Sequence, residues 1–97
     1  MNSEALTFDT VRQAHARIAG GLRATPCAVS RPLSELAGMG IILKHDYQQF
    51  TGSFKERGAR NALLSLSSAQ RSRGVVAASA GNHALGLAYH GAQLGIA

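Results

Sequence analysis

Thr51-Gly52-Ser53-Phe54-Lys55-Glu56-Arg57-Gly58 places one lysine in the first turn of a predicted helix, directly after a glycine-containing turn. Ser53 and Glu56 have the S-x-x-E spacing of a capping box, with the serine as N-cap and the glutamate reaching back to it. Leu63, Leu64 and Leu66 supply the apolar run expected behind such a start. With Ser53 as cap, Lys55 takes the second helical position, beside backbone N–H groups that have no intrahelical partner. Positive partial charge collects there, so a lysine gains nothing from the helix dipole. It is either a solvated surface side chain or an amine held there for reactivity. The octapeptide alone leaves both open.

The chain of 97 residues, 45% of them hydrophobic, is long enough for one small domain with a modest core. Its formal charge of +5 and pI near 10.4 invite a nucleic-acid reading. The basic residues argue against it, because Arg12, Arg17, Arg23, Arg31, Lys44, Lys55, Arg57, Arg60, Arg71 and Arg73 are dispersed. No aromatic-interleaved basic strip is present, so no nucleic-acid partner is predicted. Cys27 is the single cysteine, which excludes a disulfide framework and a thiol-rich metal site. Met1 to Leu6 lacks the basic-then-apolar order of a secretory signal, and no apolar run approaches a membrane span. A cytoplasmic protein without membrane partners is the expectation.

Phe8, Val11, Ala14, Ile18 and Leu22 recur at helical spacing, with Thr7 or Asp9 as cap and Gly20-Gly21 as terminator. Leu22 to Cys27 is predicted extended, since the residue before Pro26 avoids the α region. Ser34 to Ala37 forms a short helical turn closed by Gly38, and Ile41-Ile42-Leu43 reads as a buried strand running into Lys44. After the Lys55 helix, Ser67 to Gly74 is the most polar stretch and the predicted internal boundary. It divides residues 1–66 from residues 67–97. Val75-Val76-Ala77-Ala78 then reads as an apolar strand, followed by a turn and a helix from about His83 to Leu94. Ala84, Ala88 and Gly91 share a face with Leu87 that suits close packing. Gly95 ends the helix, and Ile96-Ala97 reads as the opening of another strand. A strand, a helix and a further strand make most of a βαβ unit, and parallel sheets need both faces covered. The expected class is α/β: the N-terminal part of a larger protein with open, mostly parallel sheets, truncated in this chain.

Ser79-Ala80-Gly81-Asn82-His83 stands at a strand end and a helix start, where open α/β sheets bind ligands. Free N–H groups there favour carboxylate or phosphate. Gly81 permits close backbone approach, Ser79 offers a hydroxyl, and Asn82 an amide that donates and accepts. Equally, Ser79 or Asn82 could simply cap the helix. Gly81 and Gly86 have the spacing of a Walker loop, but Leu87 and Ala88 stand where Lys and Ser/Thr are required. The G-x-G-x-x-G dinucleotide fingerprint is absent. His83 shows no ligand spacing with His15, His45, His90 or Cys27, so no metal site is predicted.

Together, Thr51 to Ala59 and Ser79-Ala80-Gly81-Asn82-His83-Ala84 resemble the threonine/serine dehydratases, pyridoxal-phosphate enzymes of the tryptophan-synthase-β-like fold (fold type II). Serine racemases are close relatives. Thr25-Pro26, Leu33 to Leu36, Leu43-Lys44 and Arg73 to Ala77 agree, so the resemblance runs from about Thr7 onward. It implies a two-domain enzyme in which residues 1–66 begin the large, lysine-bearing domain and residues 67–97 the small one. Lys55 would hold pyridoxal 5'-phosphate covalently and act as the catalytic base, with Phe54 packed against the pyridine ring. Asn82 would hydrogen-bond the cofactor's 3′-oxygen, while Ser79, Gly81, Asn82 and His83 would cradle the substrate carboxylate. A lysine that is desolvated and near positive partial charge should titrate below its ordinary value, which favours the nucleophilic free amine.

The implied reaction is β-elimination from a hydroxylated amino acid, threonine first and serine second, giving 2-oxobutanoate or pyruvate plus ammonia. The alternatives are a serine racemase or related β-lyase, and a non-catalytic remnant. Leu85 stands where relatives often carry Gln, and Asp46 where they often carry Glu. The glycine-rich loop that grips the cofactor phosphate in this family is not in the chain, so the isolated chain is expected to be inactive. The full-length enzyme is expected to be a homo-oligomer, as is common among relatives.

Overall fold

A computed structural model describes residues 5–97; the first residues of the stretch read for a secretory signal lie outside it. Thr7 opens helix α1 (Phe8–Ile18) with a capping box of its own, its Oγ1 accepting from the Thr10 N–H while the Thr10 side chain accepts from the Thr7 N–H. Of the predicted apolar face only Ile18 is buried, whereas Phe8 and Val11 are exposed. A 3-10 turn, Ala19–Gly21, carries the chain off the helix at the predicted glycines.

Strands β1 (Cys27–Val29) and β2 (Ile42–Lys44) form an antiparallel ribbon with Ala28 opposite Leu43. Two flanking backbone bonds, Ser30 N–H to Ile41 O and His45 N–H to Pro26 O, lengthen it at both ends. Between them lies α2 (Arg31–Ala37), which starts three residues before the predicted turn. Ser30 caps it and Pro32 sits in its first turn, a position where the missing proline N–H costs nothing. Gly38 closes it as expected. The expectation of a buried strand at Ile41–Leu43 is corrected: every residue of β2 is exposed, Ile42 by 64%. A two-stranded ribbon with no layer over either face leaves its apolar side chains uncovered.

The centre of the molecule is the packing of α3 (Lys55–Leu64) against α5 (Asn82–Leu94). Ala59 and Leu63 are each 1% exposed on the inward stripe of α3. On α5 the inward residues are Gly86, His90 and Gly91 rather than the predicted Ala84 and Ala88, the latter being exposed. Gly86 permits this approach, since a methyl there would lie 3.1 Å from the Glu56 Cα and 3.2 Å from the Ala59 Cβ. The two helices therefore meet almost backbone to backbone.

The polar stretch after α3 forms a short helix, α4 (Ser68–Arg73), with a capping box between Ser67 and Gln70. Arg71 ties it back to α3 by donating to the Leu64 and Leu66 carbonyls. Val75–Ala78, expected as a strand, has no regular secondary structure and no ladder among the described residues. One backbone bond, Val75 N–H to Ala97 O at 2.8 Å, joins this segment to the residues after α5. Val76 is wholly exposed. Extended backbone becomes a strand only when a neighbour satisfies its N–H and C=O groups.

Candidate active site

The turn before α3 is built differently from the predicted capping box. Gly52 adopts φ 82, a left-handed conformation costly for any residue with a Cβ, and so bends the chain into the helix. Phe54 is the N-cap residue with helical dihedrals, and Lys55 is the first rather than the second residue of α3. The Ser53 Oγ still accepts from a free helix N–H, that of Lys55 at 3.2 Å. Glu56 does not reciprocate, because its carboxylate is taken elsewhere.

That carboxylate is wholly buried. Its Oε1 accepts from both the N–H and the O–H of Thr51, at 2.8 and 2.9 Å, and its Oε2 accepts from His90 Nε2 at 2.8 Å. The opposite ring nitrogen of His90, Nδ1, lies 3.3 Å from Arg60 Nη1. A guanidinium only donates, so Nδ1 must accept, and the histidine proton resides on Nε2, directed at Glu56. Donation thus converges on the Glu56 carboxylate, from Arg60 through His90 on one side and from Thr51 on the other. Removing one partner from a buried ionic cluster of this kind typically costs about 3–5 kcal/mol. Nothing in the one-dimensional spacing pointed to this cluster: Glu56 matched a capping box, and His90 was considered only as a metal ligand.

A second polar anchor holds the other side of the turn. Arg57 donates twice to Asp46, at 2.6 and 3.1 Å, and Thr25 Oγ1 donates to the same carboxylate at 2.6 Å. The Arg57 bonds, with help from Thr25, hold the Asp46 carboxyl at about 2, and Asp46 in turn raises Arg57. The loop after β2 is thereby clamped to α3.

Lys55 itself is exposed, with its Nζ 5.6 Å from the centre of the Phe54 ring, which is also exposed. The desolvation expected around the amine is therefore not supplied by the described residues. Asn82 is the first residue of α5 and Gly81 its N-cap. Ser79 takes the capping role left open in the sequence, its Oγ accepting from the N–H groups of Gly81 and Ala84 at 3.2 and 3.3 Å. Ser79, Gly81, Asn82 and His83 are all exposed, and a methyl at Gly81 would meet nothing within 4 Å, so the loop is open to a ligand.

The lysine turn and the asparagine loop are joined through the helix pair. Gly86 lies against Glu56, the neighbour of Lys55, and one helical turn, about 6 Å of rise, separates Gly86 from Asn82. The start of α5 thus lies one helical turn along that helix from its contact with Glu56. A cavity of about 440 Å³ lies elsewhere, in a groove between α1 and α3 lined by Val11, Arg17 and Asn61. It marks a gap between helices and holds none of the proposed chemistry. No helix among the described residues is long and apolar enough to cross a membrane.

The donor set suits pyridoxal phosphate: a primary amine that can condense with its aldehyde, an adjacent aromatic ring, an amide, and an open helix N-terminus for a carboxylate. Residues 18–97 match the family described as pyridoxal-phosphate dependent enzymes. The chain is 45% identical over 91 residues to an L-threonine ammonia-lyase of Thermotoga maritima, covering 94% of this chain and 23% of that protein. It is 42% identical over 84 residues to a serine racemase of Dictyostelium discoideum, covering 87% of this chain and 26% of that protein. The solved structure of maize serine racemase superposes with a TM-score of 0.84 at 38% identity, over 96% of this chain and 29% of that one. The chain thus spans about a quarter of the length of the curated relatives it matches, and its fold is a segment of the fold type II architecture expected from the motifs. With residues 18–97 matched and the lysine turn and asparagine loop carried on two packed helices, the chain belongs to the pyridoxal-phosphate-dependent enzymes.

Proposed function

We propose that the whole protein eliminates water from L-threonine, and secondarily from L-serine, releasing 2-oxobutanoate or pyruvate with ammonia. The observation that carries this reading is that Lys55 and Asn82 are the first residues of two helices packed on each other through Gly86 and Glu56. When bound, pyridoxal phosphate supplies the electron sink that makes an amino-acid α-proton removable. The chain's own residues supply the rest. Lys55 would hold the cofactor through its amine, and the same amine, when free, would take the α-proton. Phe54 offers a flat apolar surface beside the Lys55 amine. The Asn82 amide binds and orients the ring oxygen of the cofactor. Ser79, Gly81, Asn82 and His83 hold the substrate carboxylate at the start of α5, where unpaired N–H groups favour an anion. Ser79 Oγ fixes the loop by accepting from two of its N–H groups.

In this reading residues 1–66 begin the lysine-bearing large domain, residues 67–97 begin the small one, and the α3–α5 contact joins them. A homo-oligomeric, cytoplasmic enzyme is the expected context. Incubation of the purified full-length protein with L-threonine and pyridoxal phosphate should release 2-oxobutanoate and ammonia in equal amounts. Absence of both products with either amino acid would refute the lyase reading.

The likeness to serine racemases of maize and Dictyostelium discoideum supports a second reading, inversion at Cα of serine. The two are separated by following L-serine: formation of D-serine in excess of pyruvate favours racemisation, pyruvate alone favours elimination.

A further inference from the structure

We propose that the buried relay Arg60–His90–Glu56–Thr51 is the positioning device that sets Lys55 against the Asn82 loop, with Glu56 and His90 as positioning residues. This rests on the functional reading above. The turn that delivers the lysine begins at Thr51 and ends at Glu56, and the Glu56 carboxylate binds its beginning through two bonds to Thr51. The same carboxylate is bonded to His90 on α5, whose first residue is Asn82. One buried group therefore fixes both the shape of the lysine turn and its register on the helix carrying the partner loop. Both Oε atoms are engaged, so the group has no freedom to serve one function without the other.

Arg60 gives the relay its direction. By donating to Nδ1 it leaves His90 only the Nε2 proton to offer Glu56. Gly21 makes room for this, because a methyl there would fall inside the Arg60 guanidinium. A hydrophobic pair could hold two helices together equally well, but it could not hold Thr51. The choice of a fully buried carboxylate next to an exposed lysine is explained by the need to fix that turn.

The test uses the full-length protein. In its cofactor-free form, amide exchange at Thr51–Lys55 should accelerate at least about tenfold in His90→Leu, while Leu63 in the α3 core changes less than about threefold. With pyridoxal phosphate and L-threonine, the same variant should lose about tenfold or more in kcat with KM within about threefold, because misplacement of the amine affects the chemical step. His90→Gln, whose amide can accept from Arg60 and donate to Glu56, should restore both readouts to within about threefold of the parent. Unchanged exchange at Thr51–Lys55 in His90→Leu, or a loss that His90→Gln does not rescue, overturns the proposal. Should His90→Leu not fold, Thr51→Val decides, since it removes one bond to Glu56 and leaves the helix pair intact. A fall in its kcat at constant KM supports the relay, and an unchanged kcat overturns it. Failure of the functional reading shows itself separately, as full activity in Lys55→Ala, while the exchange readout needs no cofactor.

Discussion

Asp46→Asn tests how the loop after β2 is held to the lysine helix. The Asp46 carboxyl is lowered from 3.8 to about 2, chiefly by the Arg57 guanidinium and then by Thr25. Its side chain is 14% exposed and that of Arg57 28%, so solvent screens the pair only partly. A depression of this size corresponds to about 2 kcal/mol of folding stability. The sign follows from the direction: the folded form holds its proton more weakly, so the contribution is full above 3.8 and is lost as pH falls through about 2. Asparagine carries no charge to lose. In urea titrations at pH 7 the variant should therefore unfold about 2 kcal/mol more easily. At pH 2 the gap between parent and variant should shrink to less than half. An equal gap at both pH values would refute the electrostatic account and leave only a packing effect.

Further consequences concern the core and the two motifs. Leu63→Ala, at a site 1% exposed in the α3–α5 contact, should cost about 3 kcal/mol by chemical denaturation, a cavity effect independent of pH. Gly95→Ala places a Cβ at φ 68 after α5 and should cost about 1 kcal/mol, read as a shift in urea midpoint without change in slope. Asn82→Ala leaves Lys55 and the relay untouched, so in the full-length protein it should keep covalent cofactor while lowering turnover by about tenfold or more, seen as a shifted cofactor absorbance together with a reduced kcat.

Much of this architecture was legible in the chain. Helical spacing and glycine punctuation located α1, α3 and α5 to within a residue or two, since both act through local geometry. Ser30 and Pro32 also carry a helix-start signal, and overlooking it delayed α2 by three residues. Burial was less legible. Ile41–Leu43 and Val75–Ala78 are apolar enough for buried strands, yet whether a strand is covered and laddered depends on neighbours that one segment cannot specify. The capping box at Ser53 failed for a related reason. Glu56 has a local partner within reach, but a buried histidine 34 positions away and the Thr51 backbone compete for the same oxygens and win. Long-range polar pairing of this kind leaves no periodic mark. The proposed site residues could be named because they are concentrated in two short motifs, whereas the buried polar cluster is scattered through Thr51, Glu56, Arg60 and His90.

The central claim is that Lys55 is the residue that carries the cofactor. The chain holds one other lysine, Lys44, whose ammonium donates to the Thr25 carbonyl at 3.3 Å. The full-length protein should be mixed with pyridoxal phosphate, reduced with borohydride, digested and mapped by mass spectrometry. The account predicts stoichiometric modification on Lys55, none on Lys44, and loss of the modification and of activity in Lys55→Ala. Stoichiometric modification at another lysine with Lys55 untouched, or normal activity in Lys55→Ala, would contradict it.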